Sequence, residues 1–169
     1  MKPPTKTSEV WVCYLQYNHL MKTRTFEKEI FIQADAATVI NVIADYTQHP
    51  KIHQLIIKVE RAKDEPPGTK RYFITEGRRW GPFKFKRKYR ADIIFVTEDT
   101  VYTEAYQAPG TSVTNLTKIT PQGTGVLLHE TITMRAPDML YEYAFQRVKA
   151  AHAEMLERIK AFVELEWKI

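Results

Sequence analysis

A single cysteine, Cys13, leaves the chain without any internal disulfide, and a reducing, cytoplasmic setting is the expectation that follows. The N-terminal stretch is broken by Glu9, Gln16, Asn18 and His19, too polar for the core of a secretory signal. No apolar run approaches the roughly 20 residues that a membrane span needs. Repeats and low-complexity tracts are lacking, so the 169 residues read as one continuous domain able to bury its own core. No His/Cys/Asp/Glu spacing resembles a zinc or iron site. Nor is there a Ser-His-Asp set, a reactive cysteine setting or a phosphate-cradling glycine loop, so neither metal nor other cofactor is expected. Lys and Arg total 25 against 20 Asp and Glu, a formal net charge of +5. That balance permits attraction to anionic surfaces, but no single-strand recognition motif accompanies it, and nucleic acid is not expected as a partner.

What is present is a run of strand-like segments ending in a long helix. Residues 26 to 33 are rich in Phe and Ile, and residues 36 to 45 place Val39, Val42 and Ile43 at helical spacing behind a candidate N-cap, Asp35. Pro50 interrupts any continuation, so a short second helix or turn follows. Six further strands are expected at about 55 to 63, 69 to 77, 83 to 97, 100 to 108, 112 to 120 and 124 to 135, separated by PPG, WGP, ED, PG and PQG turn signals. Short connections imply an antiparallel meander. From about 139 to 166, Tyr141, Phe145, Val148, His152, Met155, Ile159 and Phe162 recur at steps of four and three, with Asp138 as candidate N-cap. A seven-stranded sheet and one long apolar-striped helix need each other for burial, which is an α+β architecture. Residues 1 to 25 fit the pattern less well and read as an added strand, an arm or a homodimer contact ahead of a domain spanning 26 to 169.

Residues 83 to 95 alternate strictly. One face carries Lys84, Lys86, Lys88, Arg90 and Asp92; the other carries Phe83, Phe85, Arg87, Tyr89, Ala91, Ile93 and Phe95. If the aromatic face points inward, Arg87 points inward with it, and a guanidinium there needs an anion or several acceptors. The alternative is a strand-end arginine that reaches solvent or a structural carboxylate. Glu130 shares a face with Val126, Leu128, Ile132 and Met134, which makes it either a partner for Arg87 or a residue turned to water at a bulge. His152 on the helix stripe is either a satisfied core residue or a group that contacts a ligand or moves a proton. His49 and His53 follow the first helix. The lysine face reads as a solvated outer surface, or as a peripheral contact with anionic lipid.

The stretches EIFIQADAATVINVIADYTQHPKIHQLIIKVE and GTGVLLHETITMRAPDM resemble the opening and the last strand-to-helix junction of the SRPBCC, or START-like, helix-grip superfamily, over about residues 26 to 166. That superfamily includes lipid carriers and polyketide cyclases. The resemblance implies a curved antiparallel sheet around the C-terminal helix, enclosing a cavity for a hydrophobic small molecule. On that basis the ligand-facing set is Phe83, Phe85, Arg87, Tyr89, Glu130, Tyr141, Phe145, His152, Met155 and His49, with Arg87, His152 and Glu130 as candidates for chemistry. Phe83 and Arg87 reproduce an aromatic-to-arginine spacing of the aromatase/cyclases, whereas an alignment displaced by two residues puts Tyr89 at the arginine's place. That subgroup's lid tryptophan and following tyrosine are His49 and Ile56 here, which favours binding or transfer of a lipid, isoprenoid or aromatic molecule over cyclase chemistry.

Overall fold

The computed structural model describes residues 21–80 and 82–166, without the side chains of residues 78–80 and 166. The expectations for residues 1–20, Cys13 included, lie outside the described residues. Seven strands form one antiparallel sheet in the order β1-β7-β6-β5-β4-β3-β2. They are β1 (Met21–Ile32), β2 (Ile56–Arg61), β3 (Lys70–Trp80), β4 (Phe83–Val96), β5 (Thr100–Gln107), β6 (Thr111–Gln122) and β7 (Gly125–Pro137). Strands β2 to β7 run as successive hairpins, and β1 closes the edge by pairing with β7 from Met21↔Pro137 to Ile32↔Val126. β1 therefore begins at Met21, ahead of the expected residue 26.

Between β1 and β2 lie α1 (Ala36–Ala44), a 3-10 turn (Tyr46–Gln48) and α2 (His49–Ile52). Asp35 starts α1 by accepting hydrogen bonds from the Thr38 amide (2.9 Å) and hydroxyl (2.7 Å), satisfying a backbone donor the helix itself cannot use. The helix buries Val39, Ile40, Val42 and Ile43. Pro50 stands in the first turn of α2, where its missing N–H costs nothing. α3 (Asp138–Glu166) is the long C-terminal helix. Asp138 is its first helical residue and not the cap outside it, and it forms an ion pair with Lys22 of β1. Arg24 and Glu142 repeat that pinning one turn on, at 3.2 Å. Gly125 opens β7 because a side chain there would collide with the Ile32 carbonyl oxygen. The result is the helix-grip fold.

α3 packs on β1, β7, α1 and α2, so it leans over one flank of the sheet. Its C-terminal half closes a large apolar cluster in which Leu156, Ile159 and Val163 meet Val39, Ile93, Val101 and Leu128. Its N-terminal half closes a smaller one, with Tyr141 and Phe145 against Ile132, Met134 and Phe26. Over the opposite flank the inward residues are short or polar, including Ala91, Thr103, Ala105, Asn115 and Thr117, and these do not bridge the distance to the helix. A cavity results.

Candidate functional site

The cavity has a volume of about 430 Å³ and lies between the inner faces of β3 to β7, the segment from Ile43 to Ile56, and the α3 residues from Leu140 to Ile159. Apolar area comes from Ile43, Ile74, Val113, Val148, Met155 and Ile159, and aromatic walls from Tyr46, Phe85, Tyr89 and Tyr143. Two polar groups, each built on a buried carboxylate, interrupt it. The first spans β3 and β4, where the register places Glu76 directly opposite Arg87. Arg87 Nη2 stands 3.1 Å from Glu76 Oε2, and the Tyr89 hydroxyl donates to Glu76 Oε1 at 3.2 Å. Glu76 is only 8% exposed, so its charge is held in a place that water barely reaches. Burial, then the neighbouring Glu76 carboxylate, drive the Tyr89 phenol well above its ordinary range, so it stays protonated and remains a donor.

The second group joins β6, β7 and α3. Asn115 Nδ2 donates to Glu130 Oε1 at 2.6 Å, and His152 Nδ1 lies 3.0 Å from Glu130 Oε2. Glu130 is thus turned inward and almost wholly buried, with no bulge to carry it to solvent. Arg87 and Glu130 form no pair with each other: each has a nearer partner, and β5 and β6 stand between their strands. A polar seam continues from Asn115 to Thr103, its cross-strand neighbour on β5, and Tyr46 lines the same cavity. Desolvation lifts the Tyr46 phenol to about 12. The ring of His49 lies 4.6 Å from that of Tyr46, and burial lowers the imidazole to about 4, so it is neutral at physiological pH.

Of the residues expected around a ligand, Phe85, Arg87, Tyr89, Glu130, His152, Met155 and His49 line this cavity. Three lie elsewhere. Phe83, the first residue of β4, is 70% exposed. Tyr141 and Phe145 fill the seam between α3 and β1, where Phe145 meets Phe26 edge-on at 5.4 Å and sits under the Arg24 guanidinium at 4.3 Å. The helix stripe is continuous, but the helix leans, so its first turns face β1 while Leu140, Tyr143, Ala144 and Arg147 face the cavity. Phe95 also leaves the inward face, since a bulge between Ile93 and Phe95 reverses the alternation and stacks it on Tyr102 at 5.5 Å.

The outer face of β4 is partly self-neutralised. Lys88 reaches Glu60 at 3.4 Å, and Arg90 reaches Asp92 at 3.4 Å and covers the Tyr106 ring at 3.9 Å. Lys84 and Lys86 are exposed. Sequence reasoning missed Glu76 and Asn115. A hairpin register counted outward from Trp80↔Phe83 finds Glu76 opposite Arg87, but no comparable local count singles out Asn115. Among the described residues no group of three His, Cys, Asp or Glu side chains gathers as a metal site, and no helix is long and apolar enough to cross a membrane.

A family profile described as polyketide cyclase / dehydrase and lipid transport matches residues 23–164. The chain belongs to this family. That match bears out the resemblance to the SRPBCC superfamily, and solved structures share the fold. The aromatase/cyclase StfQ of the steffimycin biosynthetic pathway, a di-domain protein, superposes with a TM-score of 0.72 at 15% identity over 92% of this chain and 55% of its own. The chain thus spans about half the length of that protein. Ara h 8.0201 gives a TM-score of 0.68 at 20% identity, covering 84% of this chain and 98% of its own. A norcoclaurine synthase point mutant from Thalictrum flavum gives 0.65 at 15%, covering 88% and 98%. At these identities the likeness establishes the fold. No curated protein matches by sequence.

Proposed function

We propose that this member of the family binds a hydrophobic small molecule, a lipid, an isoprenoid or an aromatic compound of polyketide type, in the cavity beneath α3. The observation that carries the reading is the cavity itself: about 430 Å³, largely apolar, with a few fixed polar groups, which is the make-up of a small-molecule site. Arg87 supports it as well, since only part of its five-donor fork is engaged by Glu76 and its buried Nε has no protein partner. Native mass spectrometry of freshly purified protein, followed by extraction, is the direct test. The expected result is a non-covalent adduct or tight uptake of a hydrophobic probe. A protein that is empty and takes up no such probe overturns the reading.

A second reading, chemistry on the bound molecule, is favoured by one observation. Glu130, itself held by Asn115, fixes His152 through Nδ1, and a carboxylate that orients an imidazole in this way leaves Nε2 for proton transfer. This is the arrangement a cyclase or dehydratase needs at a carbon beside a carbonyl. Exchange of the central C–H of a cyclic 1,3-dione in heavy water, faster than in buffer and lost in His152→Gln, is the expected outcome. Exchange at the buffer rate removes this reading and leaves binding.

A further inference from the structure

Two buried polar atoms on cavity-lining residues have no hydrogen-bond partner, Asn115 Oδ1 and His49 Nε2, the latter on a residue only 6% exposed. The acceptor character of the first is forced by its neighbour. A carboxylate only accepts, so the contact with Glu130 Oε1 must come from the NH₂ of Asn115, which leaves the amide carbonyl as the orphan. The second atom belongs to the ring that lies 4.6 Å from that of Tyr46 on the same wall.

We propose that Asn115 Oδ1, with its cross-strand neighbour Thr103 beside it, makes a recognition station for a neutral hydroxyl group on an otherwise hydrophobic ligand, a phenol or an alcohol. The inference rests on the binding reading above and narrows it. A hydroxyl supplies the one donor that this acceptor lacks, and a buried acceptor left unmet carries a desolvation cost. A methyl ether fills the same space but donates nothing, and it displaces whatever water would otherwise satisfy this atom. A carboxylate would bring a second negative charge beside Glu130, the direct partner of Asn115. Aromatic walls at Tyr46 and Tyr89 suit a flat ring behind the hydroxyl.

The experiment compares 2-naphthol, 2-methoxynaphthalene and 2-naphthoate by calorimetry at pH 7 with the full chain. The naphthol is expected to bind at least about tenfold more tightly than the ether and the acid, as one buried hydrogen bond gained or lost allows. In Asn115→Leu the preference over the ether should fall to within about twofold; Asn115→Ala, which removes the same acceptor with less volume, is the second variant if the first does not fold. Equal affinity for naphthol and ether in the unaltered chain overturns the station and leaves the binding reading standing. Tightest binding of the naphthoate also overturns it, and moves recognition to Arg87. If none of the three binds, the cavity-binding reading falls and this inference with it.

Discussion

The two halves of α3 face the same sheet with opposite results. From Met155 onward the helix meets long apolar side chains, and Leu156, Ile159 and Val163 close a dry core with Val39, Ile93, Val101 and Leu128. Before His152 it leans toward β1 and β7, and the far flank of the sheet answers with alanine, threonine and asparagine. The later half gives most of its side chains to the large core, whereas the earlier half divides them between a small apolar cluster at Tyr141 and Phe145 and an interior space furnished with two buried carboxylates. Glu76 and Glu130 are each held by a cation or an imidazole together with a neutral donor, which is what lets a carboxylate remain beneath a helix. If this division is real, substitutions should separate stability from binding.

The largest separation is expected from a pair of opposite volume changes. Leu156→Ala removes a side chain that is 3% exposed in the packed half and should cost about 2 to 5 kcal/mol in chemical denaturation. Ala105→Leu adds volume to the cavity wall, where space exists, and should leave the denaturation midpoint nearly unchanged while abolishing probe uptake. A large stability loss in the second variant would mean that the cavity half is packed as tightly as the other.

His49 sharpens the comparison through pH. Its imidazole is lowered by burial from an ordinary 6.5 to about 4 in the folded protein. Above pH 6.5 it is neutral folded or unfolded. As pH falls from about 6.5 toward 4 the unfolded chain takes up a proton that the folded chain refuses, so stability is lost in that window by roughly 3 kcal/mol, and no further below it. His49→Phe should flatten this part of the stability profile measured by urea titration. An unchanged slope would place the proton uptake on another group.

Next in size is the affinity of the cavity for an uncharged hydrophobic probe. Phe85 lines the mouth and is 49% exposed, so Phe85→Ala should weaken such a probe by about 1 to 3 kcal/mol, toward the lower end. Lys86→Ala, on the outer face, should leave it unchanged. Phe145, although on the same helix stripe as His152, should matter for stability and not for the probe, since it packs against Phe26 outside the cavity.

The architecture was largely legible in the sequence because periodicity reports local geometry. The alternation that begins at residue 83 runs as far as Ile93, the four-three stripe of the helix appears in the structure, and Asp35 caps the helix it precedes. What periodicity does not report is how an element is tilted. The helix stripe names the residues that are buried but not what they are buried against, so Tyr141 and Phe145 read like cavity residues until the lean of α3 toward β1 is known. A single bulge likewise reversed the side on which Phe95 lies. Partners across strands depend on register. Arg87 pairs with Glu76, its neighbour in a tight hairpin, and not with Glu130, which is separated from it by two strands.

The smallest expected effect bears most directly on whether the two halves are independent. α1 belongs to both: Val39 and Val42 enter the packed core, whereas Ile43 reaches the cavity wall. Its start depends on Asp35, and Asp35→Ala should cost about 1 kcal/mol of stability, the usual worth of an N-cap. Asp35→Asn keeps a side-chain acceptor and should cost less. The acid behaviour separates this effect from that of His49. The Thr38 amide and hydroxyl hold the Asp35 carboxyl below its ordinary 3.8, so its contribution is complete above that value and is lost only as pH falls through the lower folded value, below the His49 window. Because the cap acts on the folding of α1 and not on the volume beneath α3, the dissociation constant of a hydrophobic probe in Asp35→Ala should stay within about twofold of the unaltered chain. A constant that weakens in step with the lost stability would mean that the cavity is held open by the same cooperative unit that packs the core, and the division drawn from α3 would not hold.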